Sequence, residues 1–193
     1  MLFRSPPARS LNRPGALEEI SAALEDRQGL LADLARREVA RIRQLTAEAN
    51  AVEADIACRV ARIAPSLLAL AGCGPLTAAK LVGETADVTR FPSPDTYAMF
   101  AGTAPIPVWS GNTQRFRLNR GGNRQINAAI HRIAVTQMRI HPDARRLITK
   151  HLTAGKTKTE ALRVLERHLS NIVYRTLLQD TPTSCQAAPG KAA

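Results

Sequence analysis

The strongest constraint on this chain is a long interval that nothing interrupts. From Ala16 to about Ile63 there is no proline and a single glycine, Gly29. Proline ends or kinks a helix and glycine weakens one, so their scarcity lets one helix run. Leu31, Ala35, Ile42, Leu45, Ala49, Val52, Ile56 and Ile63 keep the alternating three-and-four spacing of a heptad seam, with Glu38 and Arg59 breaking into it. The other faces carry Glu, Asp, Arg and Gln. At 1.5 Å per residue such a helix would reach roughly 70 Å. It cannot bury its stripe against itself, so the spacing predicts a coiled-coil helix over 16–63 and a homo-oligomer joined through it. A long helix lying on its own small domain is the other reading that the stripe allows.

Around this helix the chain divides by composition. Residues 1–15, rich in Pro, Arg and Ser without apolar periodicity, read as a loose leader, and 180–193, made of Thr, Pro, Ala and Gly, as a frayed tail. The interval 64–179 reads as a compact helical domain. Pro65 to Ala71 suits a short helix, Gly72-Cys73-Gly74 a tight turn, and Pro75 to Glu84 a second helix with proline at its first position. Two short apolar helices around Gly-x-Gly have the form of a helix-hairpin-helix, which presents backbone N–H groups to phosphate; an ordinary helical corner fits equally. Ser93-Pro94 starts a helix as N-cap and first residue, and its Tyr97, Met99 and Phe100 suit a core better than a base-stacking surface. Asn123 to Ile140 places Ile126, Ala129, Ile130, Ile133, Ala134 and Met138 on one side. Pro142 opens a helix to about Leu152. Thr157 and Glu160 have capping-box spacing before a last helix with Leu162, Leu165, Leu169, Ile172, Val173 and Leu177 inside. The fold class predicted is all-α, with a basic loop around Ser110 that is irregular or forms a hairpin.

Charge narrows the partner. A formal net charge of +11 over 193 residues points to a polyanion. Nucleic acid suits it better than a membrane surface, which would want a basic amphipathic helix with bulky apolar residues opposite, because aromatics are only 4% of the chain. No apolar run approaches a membrane span, and the first residues lack a signal-peptide core. Cys58, Cys73 and Cys185 are odd in number and far apart, which suits a reducing compartment. The expected location is the cytoplasm, at the nucleoid.

The candidate site lies in an acid-free interval. Between Asp95 and Asp143 there is no Asp or Glu, and within it runs Trp109-Ser110-Gly111-Asn112-Thr113-Gln114-Arg115-Phe116-Arg117-Leu118-Asn119-Arg120-Gly121-Gly122-Asn123-Arg124. A hydroxyl attacking a phosphodiester needs fixed positive charge nearby, and one serine ahead of Arg115, Arg117, Arg120 and Arg124 has that make-up. A solvated basic loop on a binding protein has it too. Other motifs fail on context. Gly155-Lys156-Thr157 lacks both the first glycine of a P-loop, where Lys150 stands, and a preceding strand. His141-Pro142-Asp143 matches a cochaperone tripeptide without its helical hairpin. His131, His141, His151 and His168 lack metal-ligand spacing, and Glu84, Asp87 and Asp95 sit at loop and cap positions that do not converge on a metal.

Together the segments resemble one family. Leu70-Ala71-Gly72-Cys73-Gly74-Pro75-Leu76-Thr77-Ala78, then Gly83-Glu84-Thr85-Ala86-Asp87-Val88-Thr89-Arg90-Phe91-Pro92-Ser93, then Tyr97-Ala98-Met99-Phe100-Ala101-Gly102-Thr103-Ala104-Pro105 are followed by Ser110-Gly111, Arg120-Gly121-Gly122-Asn123-Arg124 and Gly155-Lys156. In that order they resemble the C-terminal half of the insertion-sequence-110 transposases, also called bridge recombinases, over roughly 65–178, with the preceding helix similar to the family's coiled-coil linker. The resemblance implies DNA transposition by serine attack on a phosphodiester, with Ser110 as nucleophile by position. It implies that Arg115, Arg117, Arg120 and Arg124 clamp phosphate and that Gly72 and Gly74 hold DNA backbone nearby. It also implies a guide RNA, and Mg²⁺ held by four acidic residues of a separate RuvC-like N-terminal domain. No metal ligand or cofactor site is expected in this chain itself. Thr103 stands where the family usually has leucine, and Ile126-Asn127 where a leucine-arginine pair is common. Nothing upstream of Ala16 could form the RuvC-like domain, so the expectation is a truncated transposase, a relic reading frame or one part of a split enzyme, inactive alone. The alternative is a non-catalytic nucleic-acid-binding dimer.

Overall fold

The computed structural model describes residues 14–117 and 119–181 and divides the chain into two compact units, 1–54 and 55–193. The elements, in order, are α1 (Pro14–Glu25), α2 (Leu30–Ile63), α3 (Pro65–Leu68), α4 (Pro75–Thr85), a 3-10 turn (Val88–Arg90), α5 (Pro94–Phe100), β1 (Ile106–Ser110), β2 (Thr113–Arg117), α6 (Arg124–Ile140), α7 (Pro142–Thr153) and α8 (Lys158–Asp180). The expected all-α class holds in the broad sense of a mostly helical chain. The departure from all-α is one two-stranded antiparallel sheet, the hairpin form of the loop expected around Ser110.

In the first unit the expected single long helix is two. The break falls at the one glycine of the interval: Gly29 adopts a φ of +108, left-handed backbone that side-chain-bearing residues avoid. The Arg36 guanidinium ties the corner by donating to the carbonyls of Leu24 and Arg27. Arg43 donates to the Ser21 hydroxyl at 2.9 Å, and Leu17, Ala32 and Val39 are buried between α1 and α2. This leaves much of the heptad stripe uncovered: Leu31, Leu45 and Val52 are all exposed, while Ala35 and Ile56 are half-buried. The leader expected at 1–15 lies outside the described residues except for Pro14 and Gly15, which open α1.

In the second unit the core is built on α6 and α8. Ile126, Ile130 and Ile133 of α6 are fully buried, and α8 contributes Leu165, Leu169, Val173 and Leu177. Of the residues expected inside α8, Ile172 is exposed instead and Leu162 is only partly buried. α8 packs against α3, α5, α6 and α7, and α6 against α4. The capping box forms as its spacing predicts: Thr157 Oγ1 accepts from Glu160 N–H at 3.3 Å, and Glu160 accepts from Thr157 N–H at 2.8 Å. Ser93 caps α5 by accepting from Thr96 N–H. Polar groups inside are mostly paired, His141 Nδ1 being the exception among the described residues. Tyr174 donates to the Phe91 carbonyl at 2.8 Å, Tyr97 shares a hydrogen bond with Thr85 at 3.1 Å, and His131 Nδ1 lies 2.6 Å from Glu166 Oε1. Asp180, placed in the expected tail, ends α8, and its carboxylate accepts from both the N–H and the hydroxyl of Ser66. Residues 182–193 of that tail lie outside the described residues.

Candidate nucleic-acid interface

The basic interval forms a hairpin mounted on a glycine-packed base. β1 and β2 pair from Ile106↔Arg117 through Val108↔Arg115 to Ser110↔Thr113, leaving Gly111-Asn112 as a two-residue loop. Gly111 has a φ of +59 at the first loop position, the arrangement of a type II′ turn, which matches strand twist. Ser110 is therefore the last residue of β1, exposed beside the tip. The strands pack principally on each other, and most of β1 faces solvent.

Below the strands, the Arg-Gly-Gly-Asn segment is fixed to the end of α5. A Cβ added at Gly122 would fall under 3.0 Å from the Cα and N of Gly102 and 3.1 Å from the carbonyl carbon of Ala101. Two backbones touch here, so Gly122 has no room for a side chain, while Gly102, with a φ of +72, sits in left-handed backbone that favours glycine. Asn123 N–H donates to the Phe100 carbonyl at 2.7 Å, Asn119 Nδ2 to the Met99 carbonyl at 3.0 Å, and Asn127 Nδ2 to the Ala101 carbonyl at 3.3 Å. Asn123 is also the N-cap of α6: its Oδ1 accepts from the N–H groups of Gln125 and Ile126. Its Nδ2 donates to Glu84 Oε2 of α4 at 2.8 Å, and beside it Lys80 Nζ donates to Gln125 at 2.8 Å. Asn127 thus has a structural task, and Ile126, its partner in the departure from the leucine-arginine pair, is core.

The expected site residues do not form one ring. Arg117 pairs with Ile106, four residues along β1 from Ser110, roughly 14 Å at the rise of an antiparallel strand. Arg120 and Arg124 are exposed at the hairpin's base, by the start of α6. Arg115 pairs with Val108 through its backbone, two residues from Ser110; its side chain lies outside what is described. Gly72, with a φ of +84, faces inward, where an added Cβ would meet the Thr136 side chain at 3.0 Å. Gly74 has open space and caps α4. Gly74 is exposed and Gly72 half-buried, so Gly74 offers the more approachable backbone.

Sequence order also hid one contact. Glu84 lies outside the acid-free interval, yet its carboxylate reaches the base of the loop through Asn123. Nothing local announces a contact across so many residues. Asn123, by contrast, was findable as a polar residue one step ahead of an apolar-periodic helix. The carboxylates nearby are engaged. The side-chain hydroxyl and then the backbone N–H of Thr89 bond Asp87 and lower its pKa, and Asp95 pairs with Arg167. Among the described residues no group of three or more His, Cys, Asp or Glu could hold a metal ion. Nor is any helix among them long and apolar enough to cross a membrane.

Comparison with known proteins converges on the same segment. Residues 64–149 match the family model described as Transposase IS116/IS110/IS902 family. The chain is 33% identical over 120 residues to the "Insertion element IS110 uncharacterized 43.6 kDa protein" of Streptomyces coelicolor, covering 62% of this chain and 30% of that protein. It is 30% identical over 118 residues to the "Insertion element IS900 uncharacterized 42 kDa protein" of Mycobacterium paratuberculosis, covering 60% and 30%. The matched region thus spans about 30% of the length of these relatives. These matches support a transposase-related function for the segment.

Proposed function

We propose that this chain, related through residues 64–149 to the IS116/IS110/IS902 transposases, is a DNA-binding domain of a transposase in which Ser110 attacks a DNA phosphodiester. The observation that carries this reading is the placement of Ser110. It is a solvent-exposed hydroxyl beside the tip of a hairpin with no acidic residue in its sequence, fixed at the base by backbone contact and a helix cap. A protruding two-stranded ribbon is a shape that DNA grooves admit. Arg120 and Arg124 at the base hold DNA backbone on either side of the ribbon rather than surround the serine, and Gly74 offers a further backbone contact at α4. Arg115 and Arg117 lie along the ribbon between base and tip.

Serine is a weak nucleophile at neutral pH and needs a base, a metal or a cationic pocket to activate it. The family implies Mg²⁺, but the carboxylates of the described residues do not fit that ion: they do not cluster, and Glu84, Asp87 and Asp95 are individually bonded. Activation therefore comes from residues outside this segment, together with a guide RNA that selects the DNA, while copies associate through the α2 stripe.

Labelled DNA and denaturing electrophoresis test the assignment. The chain should bind DNA with strong salt dependence and form little covalent adduct alone. With a matching acidic domain and guide RNA supplied, an adduct should appear and vanish in Ser110→Ala while binding persists. An adduct that survives Ser110→Ala overturns the choice of nucleophile. A chain that binds DNA and never yields an adduct favours the non-catalytic binding dimer.

A further inference from the structure

The hairpin has a second face that the serine reading does not use. Residues alternate sides along a strand, so Ile106, Val108 and Ser110 share one face and Pro107 and Trp109 the other. Phe116 pairs with Pro107 and so belongs with Trp109. Trp109 and Phe116 are diagonal neighbours, about 7–8 Å apart, within reach for large rings. Trp109 is 67% exposed and Phe116 63%. The other described aromatics are covered: Phe91, Tyr97 and Tyr174 are buried, and Phe100 lies partly buried under the Arg90 guanidinium. Two large rings held in water on a ribbon that packs on no core need an occupant.

We propose that this face, centred on Trp109 and Phe116, is a stacking surface for unpaired bases of a nucleic acid strand, and that Trp109 stacks on the base beside the phosphate facing Ser110. The inference rests on the DNA reading above and adds what that reading lacks, a group that positions the base. Charge selects the occupant. The sequence from Thr96 to Pro142 is free of acid, and Arg117, Arg120 and Arg124 are exposed on or just after the ribbon. The partner must therefore be anionic and also present flat apolar faces at short intervals, which a nucleic acid strand does. A paired duplex hides its base faces, so the bases are unpaired. Adjacent strand residues pointing to opposite sides match a nucleotide, whose phosphate and base lie on opposite sides of its sugar. Aromatic stacking of this kind tolerates any base.

The chain has one tryptophan, so its intrinsic fluorescence reports this residue alone. The full chain is titrated with a duplex holding an internal run of unpaired thymines and with the same duplex fully paired. Two further probes are that duplex with abasic sites replacing the thymines, and vesicles of phosphatidylserine and phosphatidylcholine. The unpaired thymines should quench the emission and the other three probes should not. Trp109→Ala should weaken binding to the thymine duplex about tenfold or more, the range for one stacked base, with Trp109→Phe retaining most of it and the salt dependence unchanged. Both variants are exposed and leave the core intact. Equal quenching by the abasic or the paired duplex, unchanged affinity in Trp109→Ala, or a spectral shift with vesicles overturns the proposal. Binding to DNA with no change in emission sinks the stacking surface alone, whereas no binding to any DNA at low salt sinks the DNA reading first.

Discussion

Two neighbouring glycines should answer the same mutation differently. At Gly122 an added methyl would lie under 3.0 Å from backbone atoms of Gly102, which cannot swing aside as a side chain can. At Gly121 the same methyl would meet only Asn119 Oδ1, at 3.5 Å, an ordinary contact. Overpacking of this sort costs about 1–3 kcal/mol. Because Asn123 follows Gly122 directly, displacing the loop also withdraws the α6 cap, worth about 1 kcal/mol. Gly122→Ala should therefore destabilise the chain by about 3 kcal/mol, lowering its thermal midpoint by roughly 6–12 °C at this size. Gly121→Ala should stay within about 0.5 kcal/mol. Thermal and urea denaturation of the two variants beside the parent measure both. DNA affinity should follow stability, falling in the first and not in the second. Equal midpoints for Gly121→Ala and Gly122→Ala would refute the backbone contact as the mount of the hairpin.

Asn123→Ala should cost about 1–2 kcal/mol, since it removes the cap acceptor and leaves Glu84 without its donor; an unchanged urea midpoint contradicts this. Leu45→Glu with Val52→Glu should dissociate any oligomer formed through α2 without unfolding the second unit, and sedimentation of the parent as a monomer at micromolar concentration rules that oligomer out. Burial pushes the Cys73 thiol up from 9.0 to about 11 and the Tyr97 phenol from 10.0 to about 12. In each case the folded chain keeps a proton that the unfolded chain releases, so stability should decline as pH rises from about 9 toward 12. A urea midpoint that rises across that window contradicts it. At pH 8 a maleimide should label exposed Cys58 while Cys73 reacts only on unfolding.

Caps and periodicity were legible in the sequence wherever the physics is local. Ser93, Thr157 and the apolar face of α6 each act within a turn or two of the chain, and each is found where its spacing places it. The break after Glu25 was written in one residue, Gly29, but a single glycine inside a helical pattern is often tolerated, so its left-handed backbone did not stand out. The hairpin was harder. Residues 106–117 carry the two-residue Gly111-Asn112 turn, yet their alternation leaves both faces in water and supplies no inward apolar set to fix a register. For the site, sequence adjacency stood in for spatial adjacency. Arg117, close to Ser110 in order, is drawn apart from it by strands that move about 3.4 Å per residue, and Arg120 and Arg124 follow beyond the end of β2. Glu84 arrives from another helix, which no local pattern encodes.

The isolation of the hairpin has a consequence for reading variation among relatives. Most positions in a folded chain answer to two demands at once, holding the structure and performing the task, and a residue retained through divergence could owe it to either. The middle of this ribbon answers to almost no folding demand: Val108, Trp109 and Phe116 support no helix, while the mount that secures the ribbon lies outside it, at Gly102, Gly122 and Asn123. Substitution at the mount tracks foldedness. Substitution along the ribbon tracks what the ribbon touches, so a relative that keeps its mount and scrambles its ribbon has kept the fold and changed, or given up, the work.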